Sequence, residues 1–299
     1  MIRPKSASIS LLATLFLMNC GVQSFAADDS KKSDDKPKKG EVSSKVAADA
    51  FEANKAGTAL VVKGDFKEAV SKFDEAIKLN PKYGRAYSNR AAAYAGLGDF
   101  KQAEKDASKA ISIRPQMGHA YLNRSWAENK LGEFSKALKD AEKAIELDKD
   151  DAMAYVNRSH ALNKLGRQKD AVDAASKALE ISPNLPLALI NRSHAYSDIG
   201  ENGKALEDAN KAVELAPKKG LAWSNRAHAK MHKGDWQGVI DDCNKAIELN
   251  SKLGIAYWNR AFAYDKLGKK DPAKDDMQKA ADLGVTNNDV KEFKKKKQS

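Results

Sequence analysis

Seven glycines of this 299-residue chain are spaced 34 residues apart, and this period constrains the fold more than any other feature. They are Gly64, Gly98, Gly132, Gly166, Gly200, Gly234 and Gly268. Two alanine series keep the same interval: Ala59, Ala93, Ala127, Ala161, Ala195, Ala229 and Ala263, and then Ala76, Ala110, Ala144, Ala178, Ala212, Ala246 and Ala280. A fixed period of this length is typical of a repeat architecture. We therefore predict seven repeats, at residues 50–83, 84–117, 118–151, 152–185, 186–219, 220–253 and 254–285.

Each repeat has the pattern of two helices, and residues 84–117 are representative. Tyr87, Ala91 and Tyr94 follow the i, i+4, i+7 spacing of one helix face. Gly98 then permits the positive φ that ends a helix, and Asp99 is a candidate N-cap for the next one. The second helix carries Ala103, Ala107, Ala110 and Ile111 on one face and ends before Pro115. One such hairpin cannot bury its apolar face alone, so the hairpins should stack on one another.

This pattern resembles the tetratricopeptide repeat family over residues 50–285. The matching residues are the early aromatics (Tyr87, Tyr121, Tyr155, Trp223 and Tyr257), the central alanines and the closing prolines (Pro81, Pro115, Pro183 and Pro217). The resemblance implies an all-α fold, a right-handed superhelix of antiparallel helix hairpins. It also implies that the first helix of each repeat lines a concave groove, where ligands of the family lie. Residues 286–299 are predicted to form a short capping helix and a basic tail.

An asparagine stands at the sixth position of six consecutive repeats, on the predicted inner face. The series is Asn89, Asn123, Asn157, Asn191, Asn225 and Asn259. Asparagine is a mediocre helix former, so its recurrence inside a helix requires a reason. One interpretation is that the amides, which both donate and accept hydrogen bonds, hold the backbone of an extended peptide. A similar asparagine series holds ligands in the repeat array of O-GlcNAc transferase. The alternative is that each amide only packs neighbouring helices together.

Apolar and aromatic residues of the same inner face complete the predicted peptide-binding site. Besides the six asparagines it comprises Leu122, Trp126, Val156, His160, Ile190, His194, His228 and Trp258. The histidines at equivalent positions are not expected to share a metal ion, because packed helices are about 8–10 Å apart and metal–nitrogen bonds measure about 2 Å. We therefore predict a peptide site with no metal and no cofactor.

An arginine follows each of these asparagines, and most second helices carry an aspartate at one matching position. The arginines are Arg90, Arg124, Arg158, Arg192, Arg226 and Arg260, and the aspartates are Asp106, Asp140, Asp208, Asp242 and Asp276. The first repeat lacks both residue types at these positions. This joint absence predicts an Arg–Asp pair within each hairpin, with Arg158, opposite Ala174, as the exception. Such a pair orients the two helices.

The chain termini carry different signals. Residues 1–26 have a basic start (Arg3 and Lys5), an apolar stretch and small residues before Ala27, the pattern of a secretory signal peptide. We expect an exported protein, periplasmic or secreted, and a lipoprotein modified at Cys20 is the alternative. Residues 27–49 are rich in Asp, Ser and Lys and are predicted to be a disordered linker.

Composition and motifs limit the functions open to this chain. There is no phosphate-binding loop, dinucleotide-binding glycine turn, HExxH or GxSxG motif, so we predict no enzyme. The net charge of +11 is scattered among acids, which argues against a nucleic-acid partner. We predict an exported scaffold that binds a peptide or protein segment in its groove. The alternative is an envelope-associated structural protein, whose tail Lys294–Lys297 makes weak contact with anionic surfaces while the asparagines serve packing only.

Overall fold

The computed structural model describes residues 44–285, which form fourteen α-helices joined by short turns. The helices are α1 (Ser44–Lys63), α2 (Phe66–Leu79), α3 (Gly84–Leu97), α4 (Phe100–Ile113), α5 (Gly118–Leu131), α6 (Phe134–Leu147), α7 (Ala152–Lys164), α8 (Gln168–Ile181), α9 (Pro186–Asp198), α10 (Asn202–Leu215), α11 (Gly220–Met231), α12 (Trp236–Leu249), α13 (Gly254–Lys266) and α14 (Lys270–Asp282). Odd-numbered helices are the first helices of the seven repeats. No strand occurs within residues 44–285, and the predicted all-α class is confirmed.

The described residues divide into two compact units, 44–161 and 162–285, with the division inside α7. In the first unit, α1 packs on α2, α3 on α4 and α5 on α6, and each hairpin also contacts the next one. In the second unit the same order holds from α9 to α14. Each unit is therefore built from successive hairpins, as the 34-residue period predicts.

Glycine and aspartate set the turn within a hairpin. Gly98 ends α3 with φ +81°, and the same left-handed conformation recurs at all seven glycines of the 34-residue series. In that conformation a glycine avoids the steric cost that a Cβ would carry. The Asp99 carboxylate then accepts a hydrogen bond from the Gln102 backbone N–H at 3.1 Å, which caps the first turn of α4. The predicted helix end and the predicted cap are both confirmed.

Small residues allow the helices to approach closely. Ala93, Ala103, Ala107 and Ala110 are fully buried around the second hairpin. In the first hairpin, a Cβ built on Gly57 would lie 2.6 Å from the Phe73 ring, so only glycine permits this contact. The core therefore combines close alanine and glycine contacts between helices with larger buried side chains such as Phe73.

The described range changes one predicted boundary. Helix α1 begins at Ser44, so residues 44–49 are helical and do not belong to the predicted linker 27–49. Ala47 and Ala50 favour a helix, and Ala50 is buried against Ala76 and Tyr83, which anchors this segment on the first hairpin. The predicted signal peptide, most of the linker, the capping helix and Lys294–Lys297 lie outside the described residues. Within the described range, no helix has the combination of length and apolar character needed to cross a membrane.

Candidate binding surface on the first helix of each repeat

The asparagine series links the first helices of neighbouring repeats. In the first unit, Asn123 Nδ2 donates to the Ser88 backbone carbonyl at 2.9 Å, and Asn157 Nδ2 donates to that of Leu122 at 3.2 Å. In the second unit the same contact joins Asn225 to Ile190 O (3.3 Å) and Asn259 to Ser224 O (3.2 Å). Each of these bonds spans 35 residues, one repeat plus one residue. The Asn89 amide instead donates to Asn54 Oδ1 at 3.0 Å and Thr58 Oγ1 at 3.3 Å.

These asparagine side chains have little solvent exposure. Five of the six are buried, and only Asn89 is half-buried. Little of these amides is open to a ligand backbone, and the Nδ2 groups of Asn123, Asn157, Asn225 and Asn259 already donate to the preceding first helix. This geometry favours the packing alternative for the asparagine series over direct contact with a peptide.

A second asparagine pair, which the sequence analysis missed, strengthens the same contacts. Asn129 Nδ2 donates to the backbone carbonyl of Asn157 at 3.1 Å in the first unit. Asn163 Nδ2 donates to that of Asn191 at 2.9 Å in the second unit. Asn129 and Asn163 are 34 residues apart, so their spacing is the signal that identifies them.

Several apolar residues of the predicted site belong to the core. Leu122 and Val156 are each 2% exposed, Trp258 is 4% exposed and Ile190 is 6% exposed. They fill the space between hairpins, because a first helix in a repeat stack must contact its neighbours on both sides. These buried side chains therefore hold the hairpins together beneath the surface and are not themselves exposed to a ligand.

The ninth position of the repeat supplies one series of partly accessible ring side chains on the first helices. From the third repeat onward it holds Trp126, His160, His194, His228 and Phe262, all half-buried. We call these five residues the aromatic positions. In the first unit, Trp126 packs against Ala95, Ala103 and Ala127, with Lys130 Nζ 4.6 Å from its ring centroid. The His160 ring lies edge-on to Phe134 at 6.3 Å.

Three histidines form one group in the second unit. The rings of His194 and His228 stack at 5.1 Å with an interplanar angle of 6°, and His232 lies edge-on to His228 at 5.0 Å. His194 Nδ1 is 3.6 Å from Asp198 Oδ2, and the His194 side chain remains 42% exposed. The rings of His194 and His228 are closer together than the predicted helix separation of about 8–10 Å, because the side chains extend toward each other across the gap. Stacked rings form a flat face on which a partner side chain can pack.

The last aromatic position in the second unit lies in a larger aromatic group. Phe262 is 5.9 Å from both Trp236 and Trp258, and Lys266 Nζ is 5.4 Å from the Phe262 ring. Trp258 is buried while Phe262 and Trp236 are half-buried. Aromatic area is thus available beside a lysine here, as it is beside Lys130 in the first unit.

The Arg–Asp pairs fix the two helices of a hairpin. Arg192 Nε and Nη2 donate to Asp208 at 2.7 and 2.8 Å, and these hydrogen bonds to the Asp208 carboxylate raise the pKa of Arg192. The same two-pronged pairing joins Arg90 to Asp106, Arg124 to Asp140, Arg226 to Asp242 and Arg260 to Asp276. Arg158 is the exception and contacts Glu142 at 3.3 Å. The predicted pairing and its exception are both confirmed.

Several arginines also reach the preceding hairpin. Arg124 Nη1 donates to Ser108 Oγ at 3.2 Å, and Arg192 Nη1 donates to Ser176 Oγ at 3.2 Å. These partners precede the arginines by 16 residues, whereas the paired aspartates follow them by 16. The guanidinium therefore joins the second helices of two consecutive repeats, a role that orients the stack and is not directed at a ligand.

Cys243 lies in the core of the second unit. Its side chain is fully buried with Met231, Val239, Ile240 and Trp258. Burial raises the pKa of the Cys243 thiol far above its ordinary range, so the thiolate does not form at neutral pH. The residue is a packing element of this core.

Family models of the tetratricopeptide repeat match most of the repeat region. One model, described as TPR repeat, matches residues 57–98. Models described as tetratricopeptide repeat match residues 84–117, 122–186, 187–219 and 255–283. No curated protein matches the chain at a significant level.

Solved structures of repeat proteins share this fold. A tetratricopeptide repeat protein from Parabacteroides merdae ATCC 43184 aligns with TM-score 0.62 and 20% identity, over 84% of this chain and 100% of that one. Cut9-Hcn1, an APC/C hetero-tetramer, gives 0.67 at 15% identity, over 94% of this chain and 53% of that one. PilW, described as a widely conserved type IV pilus biogenesis factor, gives 0.58 at 18% identity, over 68% and 94%. At these identities the similarity extends to the fold alone.

Proposed function

Because this chain belongs to the tetratricopeptide repeat family, whose members are generally non-enzymatic scaffolds that bind proteins or peptides, we propose that it binds an extended segment of a partner protein through the first helices of its repeats. In this proposal the ninth-position side chains contact the partner, and the asparagine series holds the helices that present them. The protein itself carries out no reaction.

The division of roles between the sixth and ninth positions supports the proposal. Asn123, at a sixth position, is 5% exposed and already donates to the preceding helix. His194, at a ninth position, has a side chain that is 42% exposed and stacks with His228. Since a binding surface must be accessible before the partner arrives, the ninth position is the better candidate for contact. Histidine and tryptophan also offer large contact area with few rotatable bonds.

The charges beside the aromatic positions indicate the chemistry of the partner. Lys130 lies over Trp126 and Lys266 over Phe262, and both lysines are exposed. A partner segment with apolar side chains and nearby carboxylates would pack on the rings and pair with these ammonium groups. The attraction should therefore weaken as salt screens it.

Export completes the proposal. The basic start, the apolar stretch and the small residues of 1–26 support secretion to the periplasm or beyond. The partner is then a protein of the cell envelope or exterior. A fusion of residues 1–26 to a reporter that is active only after export tests this part, and cytoplasmic retention of the reporter would contradict it.

Affinity capture tests the binding surface. The wild-type chain and a variant with His160→Ala, His194→Ala and His228→Ala would be used in parallel on envelope extracts, with captured proteins quantified by mass spectrometry. The matched control is Lys109→Ala, Lys139→Ala and Lys177→Ala, which removes side chains from the second helices α4, α6 and α8. We expect one partner to be depleted in the histidine variant alone. Equal recovery by all three chains would contradict the proposed surface.

A further inference from the structure

Three glutamates converge in the first unit, outside the surface described above. Glu104 lies on α4, Glu128 on α5 and Glu133 at the start of α6. One carboxylate oxygen of each lies within 4.8 Å of the other two. Like charges at this distance repel strongly, so the arrangement is costly unless something compensates it.

Two of these glutamates occupy positions that are mostly apolar in the other repeats. The position of Glu104 holds Val70, Leu138, Val172, Leu206 and Ile240, with Lys274 in the last repeat. The position of Glu128 holds Leu60, Tyr94, Leu162, Tyr196 and Tyr264, with Lys230 in the sixth repeat. In the second unit the corresponding pair, Ile240 and Tyr264, belongs to one hydrophobic cluster. Two carboxyl groups thus replace an apolar contact that the fold makes elsewhere.

Burial makes Glu128 the decisive member of the group. The residue is only 4% exposed, and its Oε2 atom is buried without a hydrogen-bond partner. A buried carboxylate oxygen that accepts no hydrogen bond is destabilising, so such an atom indicates that a partner is missing.

The neighbouring cations do not neutralise the group. Arg124 is committed to Asp140 by two hydrogen bonds, and its Nε is 4.0 Å from Glu128 Oε1. Lys136 Nζ bonds Glu133 Oε2 at 2.8 Å from an exposed position. The charge of Arg124 is balanced by Asp140, so only Lys136 offsets the three glutamates. When all three glutamates are ionised, the group therefore keeps a net charge of −2. A divalent cation matches that charge.

We propose that Glu104, Glu128 and Glu133 bind a divalent cation of the calcium class. Because the three carboxylate oxygens lie within 4.8 Å of one another, an ion placed between them can lie at most about 2.8 Å from each oxygen (4.8 Å divided by the square root of three). Ca²⁺–oxygen distances of about 2.3–2.6 Å need only a small contraction, whereas the roughly 2.1 Å of Mg²⁺ needs a larger one. Glu104 and Glu133 are half-buried, so water can complete the coordination. This glutamate group is separate from the histidines, for which no shared metal ion is predicted.

Calcium titration of the chelator-treated full chain tests the site. Calorimetry with CaCl₂ should show one ion per chain, with a dissociation constant on the order of 10⁻⁴ to 10⁻³ M. Glu104→Gln and Glu128→Gln should each weaken binding by about tenfold or more. Glu146→Gln is the matched control, because it removes one exposed carboxylate of the same unit that pairs with Lys143. Its affinity should equal that of the wild type.

A second variant separates cation binding from folding. Glu104→Leu combined with Glu128→Tyr restores the apolar pair found in other repeats, so this variant should fold without calcium. Calcium at 50 times the wild-type dissociation constant should raise the melting temperature of the wild type but not that of the variant. The proposal would be overturned by no binding to the wild type, by equal binding to the variant, or by tighter binding of Mg²⁺ than of Ca²⁺.

Discussion

Arg192 and Asp208 form a two-pronged ion pair between the helices of the fifth repeat, with hydrogen bonds of 2.7 and 2.8 Å. The Asp208 side chain is 8% exposed and that of Arg192 is 23% exposed. Replacing a buried partner leaves the other charge desolvated and uncompensated. Removing one partner should therefore lower the free energy of unfolding by more than the intact pair contributes to it.

The first prediction concerns this pair. Asp208→Ala should lower the free energy of unfolding by about 3 kcal/mol, because the Arg192 guanidinium loses both carboxylate contacts. Urea denaturation followed by circular dichroism measures the change. Arg158→Ala is the matched control: its partner Glu142 is 51% exposed, so the cost should stay below about 1 kcal/mol. Equal costs for both variants would contradict the buried-pair account.

The second prediction concerns the asparagine series. Asn123→Ala should lower the free energy of unfolding by about 1–2 kcal/mol, because the Ser88 carbonyl loses its inter-repeat donor in a buried setting. Asn210→Ala, at an exposed site on α10, should change stability by less than about 0.5 kcal/mol. If the two variants are equally stable, the asparagine does not act in packing.

The third prediction is a pH dependence that arises from Glu128. Burial, then the Asp140 charge, raises the pKa of Glu128 from 4.5 to about 8 in the folded chain, against the lowering effect of Arg124. The other charged groups facing it are Glu104, Glu133 and Lys136. Between pH 4.5 and 8 the folded chain binds more protons than the unfolded chain. Stability should therefore fall as pH rises through this window, by up to ~1.4 kcal/mol per pH unit.

Paired urea titrations measure this effect. Wild type and Glu128→Gln would be unfolded in chelator at pH 5, 6, 7 and 8. Glutamine keeps the shape of the protonated acid but does not titrate, so the stability difference between the two chains should shift in favour of the variant as pH rises. Parallel profiles for the two chains would show that Glu128 retains an ordinary pKa.

The fourth prediction concerns Cys243. In a Cys20→Ser chain, where Cys243 is the only cysteine, a thiol reagent should react only after denaturant unfolds the second unit. Burial raises the pKa of this thiol and also blocks the reagent. The same reagent on unfolded protein is the control for reactivity. Rapid modification of the native chain would contradict its assignment to the core.

Much of the fold was predictable because each repeat contains the residues that begin and end its own helices. The glycine of positive φ and the buried alanines act locally and recur every 34 residues, and the aspartate cap after Gly98 occurs again at Asp235. The Arg–Asp pairs were also predictable, since the absence of both residue types from the first repeat linked them. Helix α1 began earlier than predicted because its start depends on Ala50 packing on the first hairpin, which a charge-rich sequence does not reveal.

The site was less predictable because exposure depends on how hairpins stack. Asn123 and His194 both lie on a first helix, yet the stack buries one and leaves the other accessible. The glutamate group was also missed, because Glu104, Glu128 and Glu133 meet only when three helices from two repeats pack together. Comparing each residue with its equivalents in the other repeats would have identified Glu104 and Glu128 as acidic residues at mostly apolar positions.

One binding measurement separates the two interpretations of the first helices most directly. Fluorescence titration with peptides tiled from the captured partner would give dissociation constants for the wild type, for His160→Ala/His194→Ala/His228→Ala and for Asn123→Ala/Asn157→Ala/Asn191→Ala. Melting temperatures of the three chains would be measured in parallel. We predict that the histidine variant binds about tenfold or more weakly at nearly unchanged stability, while the folded asparagine variant melts earlier but keeps its affinity. Unchanged affinity in the histidine variant, with loss in a folded asparagine variant, would contradict this account.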